Sequence, residues 1–203
     1  MKVVTLVGAD ASGKDTQLAK LKDHFESLGK KVQVITIWDS LGEFAAIPDK
    51  KILKQTIETF LLSYEPEARS FFLLSCLKNS ESKMRSDVDY VFLNGFFHKY
   101  WASEAAYGVS HDLWKKNCSH FHRSDVTIYL NTSLEQCLQR KEEWSNYEQG
   151  KGRFYGKAIA SRELFQKKLH TELDKIMDGL SDVSVIKGDH SAEQVFKELL
   201  KLL

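Results

Sequence analysis

The residues best suited to chemistry lie in one short stretch, residues 8–16, which reads Gly-Ala-Asp-Ala-Ser-Gly-Lys-Asp-Thr. Four residues separate Gly8 from Gly13, and Lys14 follows at once, a spacing that lets backbone N–H groups wrap a phosphate. A strand-like run precedes the stretch and an amphipathic helical pattern follows it, so a helix N-terminus adds partial positive charge. A tight turn with a surface lysine is the alternative. The context favours a nucleotide site in which Lys14 reaches the β- and γ-phosphates.

Asp15 stands where such loops normally place a serine or threonine. A carboxylate can hold Mg²⁺ directly or through water, because hard cations take oxygen ligands. It also repels the bound phosphates unless a cation lies between them, and the neighbouring Thr16 still offers a hydroxyl. We therefore predict that Asp15 and Thr16 bind a magnesium ion, directly or through water, and that the cofactors are ATP and Mg²⁺.

Five short apolar, β-branched runs must supply the strands that position this loop. They are residues 3–7, 32–38, 89–96, 126–131 and 183–188, and helical patterns lie between them. This alternation predicts an α/β fold with a doubly wound, parallel five-stranded sheet flanked by helices. The length of 203 residues favours a single domain, 1–203. Residues 141–157 are polar, contain glycines and are basic toward their end, which predicts a mobile surface loop that acts as a lid.

Composition excludes several function classes. Lys plus Arg number 29 and Asp plus Glu 28, so the net charge of +1 argues against nucleic acid or a membrane surface as a partner. The three cysteines form no CxxC pair, which favours a reduced compartment and disfavours zinc. No apolar run has the length of a membrane span or a signal peptide, so a cytoplasmic protein is expected.

Four stretches occur in the order found in thymidylate kinases. They are "GADASGKDTQLAKL" (8–21), "ASEAAYG" (102–108), "SDVTIYLNTSLEQCLQRK" (124–141) and "GRFYGKAIASRELFQKKLHTEL" (152–173). The chain thus resembles a thymidylate kinase-like member of the nucleoside monophosphate kinases, which are P-loop kinases. The resemblance implies an ATP- and magnesium-dependent transferase of nucleotide biosynthesis that phosphorylates dTMP or a related nucleotide. Its partners would be small-molecule nucleotides, and a homodimer is left open.

The resemblance also implies roles for single residues. Asp10 maps to an acidic loop residue near the acceptor's sugar, and Arg153 to a lid arginine that contacts phosphates. Arg140 is the counterpart of an arginine that stacks on adenine. Asp39 and Tyr107 are assigned to the acceptor side. Independently of the resemblance, Asp39 is expected to end the second strand beside the loop, where open sheets place ligands, so it is a candidate base or a magnesium ligand through water. The ATP-binding set is completed by the loop residues Gly8, Ala11, Ser12, Gly13, Lys14, Asp15, Thr16 and Gln17.

The chain departs from this family at the acceptor site. The family's D-R-[YF] after the third strand becomes Asn94-Gly95-Phe96, which removes a carboxylate suited to magnesium and an arginine suited to the acceptor phosphate. A second family arginine falls on Lys78, and lysine cannot make arginine's bidentate fork. Asn94, Lys78 and Lys99 are therefore candidates for a rebuilt acceptor site.

Other interpretations stay open from the sequence. Asp39 is equally well explained as a helix N-cap, Asn94 as a turn residue, and Lys99 as a solvated lysine. The chain as a whole could be a nucleotide-binding module with impaired catalysis, or a kinase of a small molecule that is not a nucleotide.

Overall fold

A computed structural model of the chain describes residues 1–44 and 50–203, and contains one five-stranded parallel sheet. The strands are β1 (Lys2–Val7), β2 (Val32–Ile35), β3 (Tyr90–Asn94), β4 (Val126–Asn131) and β5 (Val183–Lys187). Their order across the sheet is β2-β3-β1-β4-β5, and every neighbouring pair is parallel. The predicted doubly wound α/β fold is confirmed, and it is consistent with a P-loop kinase.

Helices connect the strands, and several begin at a serine that caps them. They are α1 (Lys14–Ser27), α2 (Lys50–Ser63), α3 (Pro66–Glu81), α4 (Phe96–Ala106), α5 (His111–Cys118), α6 (Leu134–Arg140), α7 (Arg162–Asp178) and α8 (Ala192–Leu200), with a 3-10 helix at Ile37–Phe44. Ser110, Ser133, Ser161 and Ser191 each accept a hydrogen bond from a backbone N–H of the helix that follows. These caps satisfy donors that a helix start otherwise leaves unpaired.

Two apolar clusters cover the two faces of the sheet. On one face Leu18 and Leu21 of α1 pack with Val195 and Leu199 of α8. On the other face α3, α4 and α7 bury residues such as Leu77 against the sheet. β1 is buried on both faces, which is why its sequence is a continuous apolar run. The central strand is therefore held firmly, and the loop that follows it has a rigid base.

β2 is shorter than the run of residues 32–38 predicted. It ends at Ile35 because the Asp39 carboxylate accepts hydrogen bonds from the Thr36 backbone N–H at 2.6 Å and from the Thr36 hydroxyl at 2.9 Å. These bonds turn the chain into the 3-10 helix. Asp39 therefore lies inside that turn and does not end a strand.

Residues 141–157 contain no regular helix or strand, and their first half packs some of its side chains against the rest of the protein. Trp144 is only 7% exposed, and Tyr147 donates a hydrogen bond from its hydroxyl to Glu104 at 2.7 Å. Farther along, Tyr155 is 44% exposed. Exposure therefore varies along the segment, and its movement as a lid stays a prediction.

Among residues 1–44 and 50–203, no helix combines the length and the apolar composition needed to cross a membrane.

Candidate active site

The loop between β1 and α1 has a backbone shape that depends on its small residues. A Cβ at Gly8 would lie 2.5 Å from the Ser12 hydroxyl oxygen and 3.1 Å from the Leu130 carbonyl oxygen. Gly13 has a φ of 101°, a left-handed conformation that glycine adopts without strain. Ala11 also has a positive φ, 62°, at a position that an alanine seldom occupies. This shape is what a phosphate cradle of backbone N–H groups requires.

Lys14 is buried at the centre of this loop. Its Nζ donates to the Ala9 carbonyl oxygen at 2.6 Å and to the Ser12 hydroxyl at 3.3 Å. Burial, together with the neighbouring charge of Lys99, lowers the pKa of Lys14 to about 8, although Asp10 and Asp15 oppose that shift. The ammonium group is thus poorly compensated, and an incoming phosphate would supply the negative charge it lacks.

ATP affinity should therefore fall as the pH rises through 8. Lys14 loses its proton in that range, whereas Lys99 keeps its own because its pKa is raised. Between pH 7.5 and 9 we expect about a 5- to 10-fold loss of affinity, since binding must then include uptake of a proton. Calorimetry at both pH values, in two buffers of different ionisation enthalpy, measures the loss and the proton. Equal affinity without proton uptake would contradict this reading of Lys14.

Asp10 and Lys99 form a buried ion pair beside the loop, with Asp10 Oδ1 2.5 Å from Lys99 Nζ. Burial alone would raise the pKa of Asp10, but Lys99 and Lys14 bring it well below its ordinary value. Burial would lower the pKa of Lys99, and Asp10 more than offsets that effect. Lys99 is therefore a fixed cation at the site and not the solvated lysine of the alternative interpretation.

Asp15 and Asn94 are also in direct contact, which sequence reasoning did not predict. Asn94 Nδ2 donates to Asp15 Oδ1 at 2.5 Å. The two positions are 79 residues apart in the chain, and the pairing of β1 with β3 brings them together. The contact places the Asn94 side chain next to Asp15 in the candidate site.

A cleft of about 640 Å³ opens on the β3 side of the loop. Its polar wall contains seven charged or hydrogen-bonding groups that were predicted as site residues: Asp10, Lys14, Asp15, Thr16, Asn94, Lys99 and Arg140. Its apolar wall comes mainly from α2, α3 and the 3-10 helix, with Ile37, Trp38, Ile57, Leu61, Phe72, Leu73 and Cys76. A ligand in this cleft would touch charges at one end and aromatic or aliphatic side chains at the other.

A smaller cleft of about 400 Å³ opens on the other side of the loop. Arg140 lies at its edge and donates to the Ser12 carbonyl oxygen at 3.3 Å and to the Gly188 carbonyl oxygen at 3.0 Å. Gln17 lines the same cleft and donates to the Ala192 carbonyl oxygen at 2.9 Å. Its other walls come from the turn that leads from β5 into α8.

Of the residues predicted for the acceptor side and the lid, four do not line the larger cleft: Asp39, Lys78, Tyr107 and Arg153. Lys78 instead pairs with Glu81 and donates to the His120 carbonyl oxygen at 2.6 Å. Arg153 pairs with Glu65, and Asp39 is engaged with Thr36. Tyr107 is fully buried beneath the cleft, where its hydroxyl donates to the Tyr147 carbonyl oxygen at 2.7 Å. Lys78 and Asp39 thus make other contacts in this structure, and their assignment to the acceptor stays a prediction.

A buried polar network, which the sequence did not predict, supports the cleft from below. Arg69 Nε donates to Glu104 Oε1 at 2.8 Å, and both side chains are fully buried. The guanidinium lies over the Tyr107 ring at 4.1 Å, and Tyr147 joins the network through Glu104. The sequence does contain an indication of this network, since Glu104 is the one charged residue in a run of small residues, Ala-Ser-Glu-Ala-Ala. A carboxylate in such a run must find a buried partner.

The residues of the loop suit a magnesium ion held jointly with a nucleotide. Within residues 1–44 and 50–203 no group of three or more His, Cys, Asp or Glu side chains is arranged to hold a metal alone. Asp15, Thr16 and Asn94 instead bring a carboxylate, a hydroxyl and an amide to one cleft. Mg²⁺ commonly takes one or two protein oxygens together with waters and substrate phosphates, so this donor set fits it.

Comparison with known proteins gives a distant similarity. No family model matches the chain. A probable thymidylate kinase 1 of Saccharolobus solfataricus is 26% identical over 149 residues, which cover 73% of this chain and 75% of that protein. The similarity supports a thymidylate kinase-like relationship and no finer statement. It agrees with the parallel sheet and with the loop geometry.

Proposed function

We propose that this protein transfers the γ-phosphoryl group of ATP to a nucleoside monophosphate, dTMP or a related (deoxy)nucleotide. One observation carries the proposal: the phosphate loop lies between two clefts, and both are lined by Gly13, Thr16 and Arg140. Donor and acceptor can therefore approach one loop from opposite sides. A module that only binds a nucleotide has no need for the second cleft.

The smaller cleft suits the donor base and the larger one the acceptor. Arg140 offers a planar guanidinium at the edge of the smaller cleft, where stacking on adenine is favourable. The larger cleft combines the Asp10–Lys99 pair with Phe72 and Tyr100, a polar end and an aromatic wall that fit a nucleotide. The triphosphate would then run through the loop from one cleft toward the other.

Catalysis would rest on positioned positive charge. Lys14 would exchange its bonds to Ala9 and Ser12 for bonds to the phosphate oxygens, where charge develops during transfer. Asp15 and Thr16 would hold Mg²⁺, which neutralises phosphate charge when it is bound. Lys99 would supply a second fixed cation on the acceptor side.

Arg153 would join only after the lid moves. In the structure it pairs with Glu65, and the two side chains are 58% and 57% exposed. Exposed pairs of this kind contribute only about 0–1 kcal/mol, so a phosphate can displace Glu65 at small cost. This makes Arg153 available as a phosphate contact in a closed state.

The test is an ADP-release assay with ATP and Mg²⁺ across the common ribo- and deoxyribonucleoside monophosphates. We expect turnover with one or a few of them, and turnover close to zero for the Lys14→Ala variant. ATP binding without turnover for any acceptor would contradict the proposal and favour the nucleotide-binding module. Turnover with an acceptor that is not a nucleotide would contradict it in favour of a small-molecule kinase.

The lid should become protected when both ligands are bound. We expect hydrogen exchange in residues 152–157 to slow when ATP and the acceptor are both present, because closure expels water and brings Arg153 in. Residues 144–150 should exchange slowly in every state, since Trp144 and Tyr147 are already packed. Identical exchange of residues 152–157 with and without ligands would count against a lid.

A further inference from the structure

The contact between Asp15 and Asn94 sits at the point where the metal, the triphosphate and the acceptor would meet. Asp15 lies in the first turn of α1, and Asn94 is the last residue of β3. The backbone around Asn94 is fixed, because Gly95 donates its N–H to the Leu6 carbonyl oxygen at 2.8 Å. Both side chains line the larger cleft.

The contact also fixes the direction in which the two groups point. Carboxylate oxygens only accept, so the Asn94 amide must turn its NH₂ toward Asp15. Its own carbonyl oxygen is then free to face away from that contact. In the described part of the chain Asp15 makes no other side-chain hydrogen bond, so its second oxygen remains for a ligand. One amide thus orients one carboxylate without neutralising it.

The carboxylate stands at a different one of these two positions than in the thymidylate kinases that the chain resembles. The thymidylate kinases that the chain resembles have a hydroxyl residue after the loop lysine and an aspartate after the third strand. This chain has Asp15 at the first position and Asn94 at the second. One carboxylate is present in either arrangement, so the charge available to a cation is conserved. Two carboxylates at this distance would repel one another, whereas a carboxylate and an amide attract.

We propose that the carboxylate which holds the nucleotide's divalent cation has moved from the end of β3 to Asp15, and that Asn94 is its positioning residue. This inference rests on the proposed function, because it concerns the cation that accompanies ATP. The carboxylate now lies next to the phosphates themselves. ATP binding must therefore depend steeply on the cation, which alone separates Asp15 from the triphosphate.

The test compares ATP affinity with Mg²⁺ and with chelator in four proteins: the parent, Asp15→Thr, Asn94→Asp and the double variant Asp15→Thr/Asn94→Asp. The quantity of interest is the ratio of the two dissociation constants, chelator over Mg²⁺. For Asp15→Thr we expect this ratio to fall about tenfold or more, because repulsion in chelator and cation binding are both lost. For Asn94→Asp we expect weaker ATP binding in chelator than in the parent.

The double variant is decisive. Since it restores one carboxylate and no facing pair, its ratio should return to within about threefold of the parent, although Asp15→Thr alone does not. Mn²⁺ binding in the presence of ATP, followed by electron paramagnetic resonance, should rank the four proteins in the same order as this ratio does. Asp23→Thr removes an exposed acid farther along α1 and should leave the ratio unchanged. Asp15→Asn repeats the charge removal with a side chain of the same size, in case Asp15→Thr folds poorly.

The outcomes separate this inference from the proposed function. If the parent binds no ATP even with Mg²⁺, the proposed function fails and the inference with it. If the parent binds MgATP but the double variant has the same ratio as Asp15→Thr, only the proposed relocation of the carboxylate from β3 to Asp15 is wrong. The same holds if Asp15→Thr and Asp15→Asn both keep the parent's ratio, since the carboxylate would then not serve the cation.

Discussion

Replacing Lys14 with alanine should weaken ATP binding about 10- to 100-fold and slow phosphoryl transfer about 10²- to 10³-fold. The reason is the position of its ammonium group, which is buried inside the loop and donates to the neutral groups of Ala9 and Ser12. A phosphate is a better partner than either, because its negative charge would raise the pKa of Lys14, which burial lowers, and so keep the ammonium group protonated.

The affinity part of this prediction is checked by calorimetry and the rate part by single-turnover ADP release. Lys22→Ala is a suitable control, because Lys22 lies on the same helix, its side chain is 47% exposed, and its Nζ lies 4.0 Å from Glu26 Oε1 in a surface ion pair. Removing that charge should change neither quantity by more than about twofold. Unchanged ATP affinity in Lys14→Ala would show that the loop does not hold the triphosphate.

The parts of the site that the sequence could predict are local ones. Gly8, Gly13 and Lys14 are close in the chain, and their spacing alone determines which backbone groups face a phosphate. The strands were predictable for a similar reason, since runs buried on both faces are continuously apolar. The end of β2 was not, because the bond from Thr36 to Asp39 competes with the strand and no periodicity reveals it.

The remaining parts depend on contacts between distant segments. Lys78 lies on the helix where the resemblance placed an arginine, but its side chain reaches Glu81 and the backbone of His120. The Asp15–Asn94 contact follows from the register of β1 against β3, which no local pattern encodes. The resemblance therefore predicts a region for the site, whereas the contacts of single side chains within it depend on the packing of distant segments.

Arg69 and Glu104 connect the base of the larger cleft to the segment of residues 141–157. Tyr147 of that segment donates to Glu104, while the Arg69 guanidinium lies near the Arg153 carbonyl oxygen at 3.5 Å. Burial raises the pKa of Glu104 although Arg69 opposes that shift, so the pair is held against a real desolvation cost. Such a network ties the position of residues 141–153 to the floor of the cleft.

Breaking this pair should be strongly destabilising. We expect Arg69→Met to lower the free energy of unfolding by about 3–5 kcal/mol, because it leaves the Glu104 carboxylate buried without its cation. The double variant Arg69→Met/Glu104→Leu should recover much of that loss, since it removes both charges together. Urea unfolding followed by circular dichroism measures all three proteins.

The matched control is an ion pair at the surface. Arg123 and Asp182 are 2.6 Å apart, but their side chains are 85% and 70% exposed, so Arg123→Met should cost no more than about 1 kcal/mol. If Arg69→Met cost as little as Arg123→Met, Glu104 would have to be neutral in the folded protein, and Tyr147 would then be bonded to a carboxylic acid. If instead the double variant were no more stable than Arg69→Met, the loss would come from packing beneath Tyr107, where the guanidinium lies 4.1 Å from the ring. The comparison of single, double and control variants therefore distinguishes the electrostatic contribution of this network to stability from its packing contribution.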